Sequence, residues 1–309
     1  MYPLSTKLNT NYLLFYLLSD FFTRKAVEKS SREKMPKINK KDLGLIPIPV
    51  PPIEEQQRII ENINGIIPIL DEYEEAEDQL VALKNQFPHD MRDAILQSAI
   101  QGKLTEQLDS DTPVDTLISI LADEKNENKT KRRARAGVNI DGITSDEIPF
   151  EIPDTWKFIR IIDLCKNIIA GGDKPKLFTK EKTEQCQIEV ISNGETNKGI
   201  FGYTDEPTVT DRCLTVSGRG TIGYTEIREK PFVPIVRLLV LLPLPHTNLE
   251  YLQYALEALI ERGSGTAVKQ LTVPMLSPQI IPLPPAEEQE RIVQRLNELL
   301  PLCDGLKES

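Results

Sequence analysis

A chain of 309 residues has room for about two domains. It is 39% hydrophobic and 27% charged, the balance of a soluble globular protein, and its four cysteines are too scattered for a zinc site or a disulfide framework. The formal net charge of −10 excludes a protein that coats DNA indiscriminately, because affinity for phosphate comes from lysine and arginine, but it leaves local basic surfaces open.

The first segment reads as the tail of a module. Asn11–Lys25 has the pattern of an amphipathic helix, and Arg32–Asn39 reads as a polar loop. Tyr12–Phe22 is apolar, but Ser19 and Asp20 interrupt it and no small-residue cleavage site comes after it, so it is not read as a signal peptide. No segment reaches the roughly 18 apolar residues that span a bilayer. The hinge Ile48-Pro49-Val50-Pro51-Pro52 predicts a helix start, since proline suits a first turn and Glu54 and Glu55 complement the positive end of the dipole. Apolar residues then fall at Ile59, Ile63, Ile66, Leu70 and Tyr73, the spacing of a coiled-coil seam, which continues weakly to Leu80 and Phe87. Pro68 lies inside this pattern and predicts a kink or restart, because an interior proline costs about 3 kcal/mol.

Helical patterning resumes at Pro88, with Met91, Ile95 and Ala99 on one side, and stops at Gly102. Thr112-Pro113-Val114-Asp115 predicts a capped helix to about Asp123. The charged stretch 123–147 contains the basic run Lys129–Arg135, which reads either as solvated linker or as a contact for nucleic-acid phosphate. From Ile148 short apolar runs are broken by glycine, proline and asparagine, the pattern of a β-rich domain. Strands are predicted over Ile188–Ser192, Cys213–Ser217, Ile222–Glu226 and Ile235–Leu242, then a helix over Asn248–Arg262 and the loop Gly263–Ala267.

At Ile281 the chain repeats itself. Ile48–Ile60 returns as Ile281–Val293 at an offset of 233 positions (281 − 48), and the match continues through Asn64/Asn297, Pro68/Pro301 and Asp71/Asp304. This period is far too long for a solenoid. Two similar modules are implied, each closed by the same hinge and helix. The second stripe is Ile292, Leu296, Leu299, Cys303 and Leu306, and Pro301 predicts a second kink. Tyr12-Leu13 and Tyr251-Leu252 are equivalent if a short insertion separates the copies.

Gly218-Arg219-Gly220-Thr221-Ile222-Gly223 fits G-x-G-x-x-G, but Tyr224–Arg228 alternates like a strand and no acidic residue lies about 20 positions on. A tight glycine turn presenting Arg219 is the better reading. Lys174, Lys176, Lys180 and Lys182 crowd one loop, while Asn193, Gly194, Tyr203, Ser217, Arg219, Thr221 and Arg237 lie at predicted turns or strand ends. Arginine can grip guanine, asparagine can grip adenine, and lysine secures phosphates, so this set is suited to DNA; ordinary surface residues fit the same pattern. With only His89 and His246, no paired nucleophile, no Walker loop and no methyltransferase or metal-nuclease pattern, no catalytic or metal site is predicted. Cys165, Cys186, Cys213 and Cys303 read as reduced, buried thiols.

The doubled block Ile281-Pro282-Leu283-Pro284-Pro285-Ala286-Glu287-Glu288-Gln289 with Arg291-Ile292-Val293 resembles the hinge and helix start of type I restriction–modification specificity subunits. Phe87–Leu104 is similar to the end of that family's central helix, Glu151–Trp156 to the start of a target recognition domain, and Val190–Gly194 and Thr215–Gly223 to its interior. The resemblance implies an α+β fold, with β-rich target recognition domains joined to long coiled-coil-like helices. It divides the chain into a remnant of a first recognition domain (1–45), hinge and central helix (46–104), short helix and charged linker (105–147), a second recognition domain (148–280) and the second hinge and helix start (281–309).

The resemblance also implies a cytoplasmic, non-catalytic subunit that reads half of a bipartite site in double-stranded DNA. Methyltransferase (modification) subunits dock on it, and a restriction/translocase subunit joins through the complex. S-adenosylmethionine, ATP and magnesium belong to those partners. Ile59, Ile63, Ile66, Leu70, Tyr73, Ile292, Leu296, Leu299 and Leu306 are then the residues of helix pairing and partner docking, within one chain or in a homodimer. An orphan coiled-coil adaptor, or a silent recombination cassette, is the alternative. A first helix over Glu54–Asn85 spans about 48 Å, or about 14 base pairs, a spacer between half-site readers.

Overall fold

The computed structural model describes all residues except 1–5, 30–37, 130–141, 261–269 and 307–309. The chain divides into two units, Met1–Lys84 and Asn85–Ser309, and together their elements make an α+β protein.

In the smaller unit, the side chain of Asn9 caps α1 (Thr10–Leu18) by accepting the Asn11 N–H at 3.0 Å. Ser19 is extended; its hydroxyl oxygen accepts the Phe22 N–H at 3.2 Å and starts α2 (Asp20–Glu28). The one helix expected over Asn11–Lys25 is therefore two, because a serine offers the backbone a local partner that competes with the helical ladder. All but the last two residues of the expected loop Arg32–Asn39 lie outside the described residues. Asn39 caps the single turn α3 (Lys40–Leu43), and after the hinge comes α4 (Ile53–Ile100), one α-helix of 48 residues. No restart occurs at Pro68. The proline leaves one carbonyl of the ladder without its donor, but it sits on an exposed face, where an unpaired carbonyl is far less costly than in a core. The unit's buried residues are Tyr12, Ile46, Gln56 and Ile60; the expected seam positions Ile66, Leu70 and Tyr73 are exposed and Ile59 and Ile63 half-buried.

The larger unit takes in the end of α4 and then α5 (Val114–Lys129), which is longer than expected; the basic run past Lys129 lies outside the described residues. Nine strands come next among the described residues: β1 (Lys157–Arg160), β2 (Cys165–Ala170), β3 (Ile188–Ile191), β4 (Ile200–Thr204), β5 (Cys213–Val216), β6 (Thr225–Arg228), β7 (Phe232–Pro234), β8 (Leu239–Pro243) and β9 (Ile280–Leu283). Between β8 and β9 lie α6 (Leu249–Leu259) and the short α7 (Val273–Leu276), and after β9 comes α8 (Ala286–Gly305). The sheets run β1-β9, β2-β8-β5-β6 and β4-β3-β7, antiparallel throughout except for β3 with β7. One face of β5 and β8 packs Leu214, Val216, Leu239 and Leu241 against Tyr251, Leu252 and Leu256 of α6. A second cluster holds Ile191, Val209, Cys213, Phe232, Leu238 and Val240. All four cysteines are free and buried, and burial pushes the Cys165 and Cys213 thiols up to about 12.

The second stripe is not a free seam. Ile292, Leu296, Leu300 and Cys303 are buried, the first three in the same core as α6, while Leu299 is only half-buried and Leu306 is exposed. At 3.6 residues per turn the steps 292, 296, 300 and 303 keep one face toward the domain. Ile292 and Leu296 are thus engaged within their own unit, and the expected pairing of these two with another helix is corrected. Pro301 is exposed inside an unbroken α8.

The repeat is structural as well as sequential. The Tyr12 hydroxyl donates to the Pro49 carbonyl at 3.0 Å, and the Tyr251 hydroxyl to the Pro282 carbonyl at 2.9 Å. Gln56 donates to the Pro51 carbonyl at 2.8 Å, and Gln289 to the Pro284 carbonyl at 2.9 Å. The two tyrosines are 239 positions apart (251 − 12) against 233 for the hinges, so an insertion of six residues separates the copies.

Candidate nucleic-acid interface

Four connections of the larger unit are tied together, one of them the turn Ile235–Leu238 between β7 and β8. From the segment after β2, the Gly171 N–H donates to the Leu238 carbonyl at 2.7 Å, and Gly171 and Gly172 carbonyls accept the N–H groups of Arg237 and Val236 at 3.0 and 2.9 Å. From the segment after β3, the Asn193 side chain donates to the Val236 carbonyl at 2.7 Å and accepts the Gly218 N–H at 2.8 Å. The Gly194 N–H donates to the Ser217 hydroxyl at 3.1 Å, which ties in the β5–β6 connection.

The turn itself is strained. Val236 and Arg237 have φ of 54° and 59°, in the left-handed region that a β-branched residue such as valine rarely enters. Such strain persists only where the surroundings over-determine it, and it clusters at functional positions. The β5–β6 turn is pinned as well: a Cβ on Gly218 would meet the Leu271 carbonyl oxygen at 2.5 Å, and the Leu271 N–H donates to the Gly218 carbonyl at 2.8 Å. The glycine motif leads into β6, an antiparallel partner of β5.

On this frame the expected residues fall into two groups. Arg219, Thr221 and Arg237 are exposed at the turns, and Arg219 donates to the Gln270 side chain at 2.8 Å. Lys174 and Lys176 are exposed on the segment that continues from Gly172; the Lys174 ammonium lies 4.5 Å from the Phe178 ring centre. Asn193 and Ser217 do something other than expected. Both ends of the Asn193 amide are engaged with main chain, and Ser217 is buried under its bond to Gly194, so these two hold the loops instead of facing a ligand. Tyr203 belongs to β4, opposite Glu189, outside the four connections. Sequence reasoning missed the left-handed Val236–Arg237 pair, and it missed Arg228, which is buried and donates to the Thr215 hydroxyl at 3.1 Å and the Lys198 carbonyl at 2.7 Å. Burial lowers the Arg228 pKa from its ordinary value. No helix among the described residues is long and apolar enough to cross a membrane.

The larger unit is thus a β-rich module with joined, basic turns, closed by a proline hinge and helix that occur twice in the chain. The chain belongs to the family described as type I restriction modification DNA specificity domain, whose model matches residues 1–80 and 153–308. Two putative type I specificity subunits of Mycoplasma pneumoniae are each 30% identical to it, over 146 and 152 residues; the matches cover 47% and 49% of this chain and 40% and 45% of those proteins. The EcoAI specificity subunit of Escherichia coli is 22% identical over 370 residues, with 99% of this chain and 62% of that protein covered. The HsdS subunit from Thermoanaerobacter tengcongensis, a solved structure, matches at 21% identity with a TM-score of 0.47, covering 96% of this chain and 64% of that one. The chain thus spans less than half the length of the first two curated relatives.

Proposed function

We propose that this chain is the DNA sequence-recognition component of a type I restriction–modification assembly. The larger unit reads one half of a bipartite site in double-stranded DNA, and modification subunits dock on helix α4. The observation that carries this reading is the joining of the turns through Asn193, which holds Arg219 and Thr221 outward on the pinned β5–β6 turn beside Arg237 on the strained β7–β8 turn. Preorganised arginines suit the two acceptors of guanine in the major groove, while Lys174 and Lys176 supply sequence-independent grip on phosphate. Membership of the specificity family supports the same reading.

Helix α4 offers the docking surface. Ile66, Leu70 and Tyr73 are exposed on it, and exposed apolar stripes of this kind mark protein interfaces. A rigid spacer of this kind fixes the distance between half-site readers, whether the second reader comes from the same protein or from a homodimer. The chain performs no chemistry itself. S-adenosylmethionine, ATP and magnesium act in the methyltransferase and restriction/translocase partners, in the cytoplasm. The net charge of −10 then limits indiscriminate binding.

The test is retention of mixed-sequence duplex DNA by purified modification subunits with and without this chain, over a range of salt. Salt-sensitive retention that requires the chain is expected. A stable complex that retains no DNA at any salt concentration would mean an adaptor that does not read DNA.

A further inference from the structure

The connection from β3 to β4 folds into one tight turn, Thr196–Gly199, whose backbone is left-handed at three successive residues. Asn197 and Lys198 have φ of 49° and 52°, and Gly199 has φ of 76°. Asparagine enters that region more readily than most residues, and lysine does not. A Cβ on Gly199 would meet the Ser192 carbonyl oxygen at 2.6 Å, so the loop closes on itself there, and the Ser192 N–H donates to the Gly199 carbonyl at 2.9 Å.

The hairpin of β5 and β6 holds this turn in place. The buried Arg228 guanidinium donates to the Lys198 carbonyl at 2.7 Å and to the Thr215 hydroxyl at 3.1 Å. The Lys198 ammonium reaches one oxygen of Glu226 at 2.7 Å, and the Tyr224 hydroxyl donates to the other at 2.8 Å. A guanidinium taken out of water is costly unless its donors are satisfied, and here one of them fixes the main chain of an exposed turn. The same hairpin carries Arg219 in its connection, and the Gly194 N–H donates to the neighbouring Ser217 hydroxyl at 3.1 Å. The two turns therefore stand on one support.

The β3–β4 turn exposes Glu195, Thr196 and Asn197, while the Lys198 ammonium is engaged with Glu226. Among the described residues the Asn197 amide has no hydrogen-bond partner, unlike the Asn193 amide, which is occupied at both ends. The turn thus offers a free amide and a carboxylate but no unpaired cation. A loop that grips phosphate needs the reverse, so this one suits base edges.

We infer that Asn197 is a further specificity-determining residue, which reads an adenine edge in the major groove beside the Arg219 turn. A free amide offers one acceptor and one donor, the match for the adenine N6 amino group and N7. The inference rests on the reading of the larger unit as a DNA reader.

Asn197→Gly tests it, because glycine adopts a φ of 49° without strain and the change removes the amide alone. The full chain, assembled with modification subunits, retains duplexes from a random pool, and the retained duplexes are sequenced. The parent should enrich a fixed adenine, and Asn197→Gly should lose that preference by about tenfold, with the other enriched positions and the salt dependence of retention unchanged. Equal enrichment by parent and variant, or a loss spread over every position, overturns the inference and leaves DNA recognition standing. Loss confined to a position of another base overturns the assignment of adenine. A parent that enriches no fixed base overturns the inference together with the reading it rests on.

Discussion

Glu288→Ala and Glu55→Ala replace the same residue of the repeat in two different surroundings. At position 288 the change removes the acceptor for three donors, Trp156, Gln107 and Thr105, inside a fully buried site. A buried donor left without its acceptor costs about 1–3 kcal/mol, and three such costs are not fully additive, which sets the expected loss at about 4 kcal/mol. The larger unit has 225 residues (309 − 84), and at that size each kcal/mol moves the midpoint by about 2–4 °C, so its thermal transition should fall by about 8–16 °C. Among the described residues the Glu55 side chain pairs with Arg58, at a surface where such pairs contribute about 0–1 kcal/mol, and Glu55→Ala should move no transition by more than about 2 °C. Differential scanning calorimetry of both variants measures this. Equal shifts would refute the claim that the second hinge is locked to its module and the first is not.

Asn193→Ala should lower stability by about 1–2 kcal/mol, for two lost hydrogen bonds, and should blunt sequence preference while leaving salt-dependent retention of mixed DNA largely intact; a binding assay at two salt concentrations separates the two. The Arg291 guanidinium holds the Asp111 carboxyl below its ordinary value of 3.8. A lowered folded-state value means that this contribution is present above about 3.8 and is lost as pH falls through the lower value, so Asp111→Asn should flatten the fall in urea midpoint between about pH 4 and pH 2. Burial keeps the Cys165 and Cys213 thiols protonated, so iodoacetamide at about pH 8 should leave both unmodified in the native chain and modify them after denaturation; mass spectrometry reads the result.

The repeat, the hinges and the glycine turn were legible because prolines and glycines constrain the backbone locally. The role of the apolar stripes was not. A seam for a partner helix and a face against the helix's own domain use the same apolar spacing, and only burial separates Leu300 from Leu299. Strand β9 carries Pro282 and β7 ends on Pro234, residues that read as breaks. The expected strand Ile235–Leu242 loses its first half because Val236 and Arg237 are left-handed, which neither residue type announces. Asn193 read as a base contact because an asparagine beside a glycine looks the same whether its amide faces a base or two neighbouring loops; the partners Gly218 and Val236 lie 25 and 43 positions away.

The most direct test of sequence recognition by the joined turns is sequencing of the duplexes that the chain, assembled with modification subunits, retains from a random pool. The parent should enrich fixed base positions, and the double variant Arg219→Ala with Arg237→Ala should lose the enrichment at those it contacts, about 1–3 kcal/mol of discrimination per base pair. An unchanged pattern of enriched bases in the double variant would contradict the account.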